Sequence, residues 1–162
     1  MVYKTTGDTV TQLEEEALIG GDTFVASVDG DLGSAGTLNL YLDNPSDSGV
    51  EALFYSGLVT HEGEIELTFY DTVSSVSGGS AATLNNNRIG GRASELTATQ
   101  DVTYTGDNEH HTVVYTGSDT EDLFDGYRML LPSGEDVVIE ITDQSGGNDE
   151  TAIRVAFVEL KE

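Results

Sequence analysis

Cysteine is absent from the 162-residue chain, which excludes a disulfide framework, a thiolate nucleophile and cysteine-based metal sites. Cations are nearly as scarce: six Lys and Arg stand against thirty Asp and Glu, for a formal charge of −24. Nucleic acid and anionic membranes both require a basic footprint, so neither is expected as a partner. No run approaches the roughly 20 apolar residues of a membrane span. The opening MVYKTTGDTVTQLEEEALIGG has no apolar segment of secretory type. The expectation is a soluble protein made in the cytoplasm without a cleaved signal peptide.

Catalytic signatures are missing too. There is no G-x-S-x-G elbow, no G-x-x-x-x-G-K-[ST] loop and no G-x-G-x-x-G after a strand. Carboxylate pairs are so frequent that some fall at glycosidase-like separations by chance. The histidines are His61, His110 and His111, and the adjacent pair on a strand would face opposite ways, so it could not share one ion without a bulge. The chain is read as a non-enzyme.

What is present is a negative charge spread along the whole chain. Such a surface repels itself in dilute buffer, whereas molar salt shortens the screening length to about 3 Å and removes most of the penalty. A salt-rich habitat fits this pattern; a Ca²⁺-loaded extracellular module, its carboxylates neutralised by specific ions, is the alternative.

Period-two alternation dominates the rest. TLNLYLDNP places Leu38, Leu40 and Leu42 on one face, EIELTFYD does so with Ile65, Leu67 and Phe69, and DVVIEIT with Val137, Ile139 and Ile141. Less regular strand candidates are 23–28, 50–57, 98–104, 112–116, 126–131 and 152–160, about nine in all. Glycine-, serine- and asparagine-rich punctuation separates them, with nineteen glycines and two prolines. The pattern predicts an all-β chain, an antiparallel β-sandwich of jelly-roll type, over residues 21–162. Residues 1–20 read as an N-terminal arm or short helix, with Thr11 and Glu14 spaced as a capping box and Gly20 as a stop. Residues 71–83, DTVSSVSGGSAAT, are small and polar enough for a long mobile loop. The aromatics mostly alternate within strands, as core or cross-strand packing would have them.

Two kinds of candidate site emerge. Asp29 and Asp31 in DGDLG, and Asp143 and Asp149 in DQSGGNDE, resemble oxygen-rich loops for Ca²⁺ or bound salt cations, without the full calcium-loop pattern. Solvated turns use the same residues. The second is LNNNRIGGR (84–92), which holds two of the six cations. Arg88 and Arg92 offer planar donor forks for carboxylates, Asn85, Asn86 and Asn87 tolerate left-handed turns, and Gly90 and Gly91 allow close approach. This composition suits either a contact between subunits or an arginine–carboxylate clasp inside the chain.

The NNNR segment, followed late in the chain by YRMLLPSGEDVVIEITDQSGGNDETAIRVAFVEL, resembles β-sandwich virion surface proteins of tailed viruses. Asn85, Asn86, Asn87 and Arg88 carry the first part of the likeness, and Tyr127, Pro132 and Gly134 the second. The resemblance covers roughly 17–162. It implies a head-decoration, turret or fibre-like subunit on the virion surface, with no enzymatic role. The implied partners are further copies of itself, expected as a homotrimer, and the capsid shell protein. The extreme acidity and the lack of a C-terminal tryptophan depart from that pattern and point to a virus of a salt-loving archaeon. A calcium-dependent or carbohydrate-binding adhesin, including one at a tail or fibre tip, is the rival expectation.

Overall fold

A computed structural model describes residues 22–32, 36–71, 73–106, 109–124, 128–146 and 149–161. The proposed N-terminal arm or helix, residues 1–20, lies outside these, as do Tyr127 and the side chains of His110 and Asp149.

The strands are β1 (Thr23–Leu32), β2 (Thr37–Asp43), β3 (Val50–His61), β4 (Ile65–Asp71), β5 (Val73–Ala81), β6 (Thr83–Asn86), β7 (Thr97–Gly106), β8 (Glu109–Tyr115), β9 (Asp119–Asp122), β10 (Met129–Leu131), β11 (Asp136–Asp143) and β12 (Asp149–Lys161). They form two six-stranded antiparallel sheets. The first runs β10-β3-β12-β1-β6, with β9 also on β3; the second runs β5-β7-β2-β11-β4-β8. β1 pairs with β12, β2 with β11, β3 with both β9 and β10, and β4 with β8. The chain is therefore a long antiparallel ribbon doubled back on itself and wrapped so that its pairs alternate between sheets. That is the jelly roll expected from the alternation.

The three alternating runs supply three neighbouring strands, β2, β11 and β4, with Leu40, Ile139 and Phe69 abreast. Their inward faces meet those of β1, β3 and β12 in one core that includes Leu38, Leu42, Ile65, Leu67, Ile141, Ile153 and Val155. Aromatic rings link the layers. Phe157 lies 5.6 Å from Phe24 and 5.1 Å from Phe54, and Phe124 stands 6.4 Å from Phe54 and 6.2 Å from Phe69. Phe124 thereby bridges the first sheet to the second. Gly57 makes room for it: a Cβ there would come within 2.7 Å of that ring. Truncating one of these buried side chains costs about 3–5 kcal/mol.

Between β4 and β8 the chain makes an excursion that adds β6 to the β1 edge of the first sheet and β7 and β5 to the β2 edge of the second. Here the expectations need correction. Residues 73–81 are strand and not a long loop, and Asn85 and Asn86 belong to β6 opposite Val25 and Phe24. Edge strands draw their order from backbone ladders, so small exposed side chains such as those of β5 suffice. The short β9 was likewise invisible to alternation. Adjacent to β9, β8 carries the bulge that two neighbouring histidines would need, since Phe69 faces His111 while Tyr70 faces Glu109. His61 is buried; its Nδ1 donates to the Gly63 carbonyl at 2.9 Å, and its ring leans on Tyr115 at 5.9 Å.

Candidate functional site

Residues 87–96 carry the chain from β6 in the first sheet to β7 in the second, so this segment must be held at the end of the sandwich. Asn87 continues the β6 ladder by one bond, its N–H donating to the Thr23 carbonyl at 2.9 Å. Asn86 then organises the turn. Its Oδ1 accepts the Arg88 N–H at 2.7 Å and its Nδ2 donates to the Arg92 carbonyl at 3.0 Å. The Gly91 N–H closes back on the Arg88 carbonyl at 2.9 Å, and Gly90 at φ 76° supplies the left-handed residue of a type II turn. A Cβ at Gly91 would lie 2.4 Å from the Asn86 side chain, so both glycines are needed. The outcome is a tight turn with Arg88 and Ile89 at its tip, and Ile89 is 103% exposed.

Arg92 is placed very differently. Its Nε donates to Asp22 Oδ1 at 2.6 Å, its Nη2 meets Glu159 Oε2 at 2.5 Å, and its Nη1 donates to the Ala93 carbonyl at 3.0 Å. A longer contact, 3.6 Å, joins it to Glu95. The guanidinium also lies over the Phe24 ring, 5.2 Å from its centre. Glu159 is wholly buried near the end of β12. Its Oε1 accepts Ser94 Oγ at 2.5 Å and the Glu95 N–H at 2.8 Å, and the charge of Arg92 offsets the remaining oxygen, Oε2, as an ion pair. Burial pulls the Arg92 pKa down, but its interactions with the Asp22 and Glu159 carboxylates outweigh it and the net shift is upward.

The structure thus brings Asn86, Arg88 and Arg92 together and divides their work. Arg92 makes the clasp inside the chain, and its carboxylate partners are its own; as a bridge to another subunit's carboxylates it is already occupied. Arg88 stays at the exposed tip, with Asn85 and Asn87 turned outward. Sequence reasoning missed Asp22, Ser94 and Glu159. The one available signal was Glu159 itself, an acid in the strongly apolar run AFVEL.

The cation candidates separate likewise. Asp143 is buried, and its carboxylate accepts the Ser145 N–H at 2.8 Å, Ser145 Oγ at 2.7 Å and the Gly146 N–H at 3.0 Å. It brackets its own turn, which is what Asp-Gly-rich turns require. Asp29 and Asp31 point outward from β1 and line a depression of about 380 Å³ with Thr60 and Glu150. Among the described residues, no three His, Asp or Glu side chains converge as a metal-holding group.

No family model and no curated protein matches the chain. Among solved structures, it is similar to the crystal structure of a Yersinia pseudotuberculosis-derived mitogen, at 10% identity and a TM-score of 0.32, covering 85% of this chain and 88% of that one. It is also similar to hydroquinone 1,2-dioxygenase from Sphingomonas sp. TTNP3 with 4-hydroxybenzoate bound, at 10% identity and a TM-score of 0.25, covering 84% of this chain and 59% of that one. At such scores these likenesses decide nothing about chemistry.

Proposed function

We propose that the chain is a non-enzymatic structural subunit of the exterior of a tailed virus particle from a salt-loving archaeal host, self-associating and docking on the capsid shell. The observation that carries this reading is the turn at 88–91. A lone exposed aliphatic is ordinary on a surface. Here, however, the isoleucine is held in water by a turn fastened through Asn86, next to an arginine, on a chain otherwise covered in carboxylates. Molar salt lets such acidic copies approach by screening them, and it strengthens apolar contacts while weakening exposed ion pairs. An apolar tip beside one cation is therefore the kind of contact that works in brine. Immunogold labelling of intact particles purified from a salt-grown host tests the assignment. Regular labelling of the particle exterior is expected; gold confined to cell debris or membranes would overturn it.

A further inference from the structure

The outward face of the second sheet carries an unusual arrangement. β7 pairs with β2 only from Thr97 to Gln100. The next residue, Asp101, has φ 56°, a left-handed conformation that is strained for a residue with a side chain. Beyond it the Asn39 side chain replaces the ladder: its Nδ2 donates to the Val102 carbonyl at 3.1 Å and its Oδ1 accepts the Val102 N–H at 2.9 Å. The partner strand β5 is kinked as well, with Ser75 at φ 55° and an irregular register between Ser74 and Ser77. The β5–β7 ribbon consequently leaves the plane of the sheet and passes over its outer face. Tyr104 reaches past β2 to donate its hydroxyl to Glu140 of β11 at 2.8 Å, and its ring stands edge-on to Tyr70 of β4 at 5.4 Å. Val73 at the ribbon's other strand donates its N–H to Asp136 at 3.0 Å. Val73, Val102 and Val138 are buried outside the main core, a small third layer where ribbon meets sheet.

A pocket of about 420 Å³ remains beside this crossing, lined by Thr37, Asn39, Tyr70, Thr103, Tyr104 and Glu140, with Val102 at its edge. We propose that this pocket binds a neutral saccharide of one or two sugar rings. Its volume lies within the roughly 300–1,000 Å³ of small-molecule sites. The walls match the two surfaces of a sugar. The half-exposed tyrosine rings suit the C–H faces, while threonine hydroxyls, which both donate and accept, suit hydroxyl groups. Glu140 has acceptor sites beyond the one that Tyr104 fills. Burial first, and the Glu140 hydrogen bond second, push the Tyr104 hydroxyl far above its usual range, so it stays a donor and holds that carboxylate in place.

Charge decides against other ligands. Glu140 and the net charge of −24 repel anions. A cation attracted by exposed carboxylates loses most of that attraction in molar salt, where the screening length is about 3 Å. Stacking and hydrogen bonds act at contact distance, and screening by salt leaves them in place. The strain points the same way: two left-handed non-glycine residues are an expense that a flat continuation of the sheet would avoid, and what they create is the pocket.

Saturation-transfer NMR on the full chain in molar potassium chloride tests it. The probes are glucose, galactose, mannose, N-acetylglucosamine and their disaccharides, with tetramethylammonium and glucuronate as charged controls. At least one neutral probe should bind. Tyr104→Ala and the near-isosteric Glu140→Gln should each weaken that binding about tenfold, with the Glu140→Gln protein melting as the wild type does. The proposal is overturned if no neutral probe binds, if tetramethylammonium alone binds, or if a sugar binds equally to both variants.

Discussion

At the base of the 87–96 segment, Arg92 is ringed by Asp22, Glu159, Glu95 and the Phe24 face; three residues away at its tip, Ile89 touches nothing that hides it. Both positions are fixed by the same few hydrogen bonds through Asn86, so their difference is one of purpose and not of order. The base uses a scarce cation to close the sandwich, because a buried glutamate without a countercharge is strongly destabilising. The tip spends backbone order on presenting an apolar side chain to water. Molar salt would leave the two ends differently affected, since screening spares a desolvated ion pair and cancels an exposed one.

The largest effect should follow from breaking the base. Arg92→Ala leaves Glu159 buried and unpaired and should cost about 3 kcal/mol, the low end for such pairs because the arginine is 31% exposed. Calorimetry in molar salt should then show a melting temperature lower by roughly 6–12 °C; a loss under about 1 kcal/mol would make the clasp ornamental. A smaller effect sharpens the contrast between carboxylates that face a cation and carboxylates that face each other. Asp43 sits directly opposite Asp136 in the β2–β11 ladder, and burial first, then that repulsion, raises its pKa. A raised acid favours the fold below its unfolded pKa and opposes it once ionised. Asp43→Asn should accordingly raise the melting temperature slightly at neutral pH, and the gain should vanish as the pH falls through the carboxylate range. A constant gain at every pH would assign the effect to packing.

Much of the architecture was legible. Leu38, Leu40 and Leu42, with the matching runs in β4 and β11, announced three half-buried strands because burial on one face imposes a two-residue period. Strands β5, β6 and β9 escaped, since SSVSGGSA, TLNN and DTED keep few side chains in the core and owe their order to hydrogen bonds with distant segments. The site was half visible. Scarcity marked Arg88 and Arg92, yet the two carboxylates closest to Arg92 lie 70 and 67 positions away along the chain, 92 − 22 and 159 − 92, and no local pattern encodes them. The crossing ribbon was hidden for a similar reason: Tyr70, Tyr104 and Glu140 look like ordinary alternating strand residues until Asp101 redirects β7.

Ile89→Asp should leave the melting temperature nearly unchanged, within about 0.5 kcal/mol of stability, because the side chain contributes nothing to the core. Sedimentation velocity in molar potassium chloride therefore tests the division between base and tip most directly. The wild-type chain should sediment as a closed oligomer and the Ile89→Asp chain as a monomer of equal stability; a monomeric wild type, or a variant that assembles as well as the wild type, would contradict it.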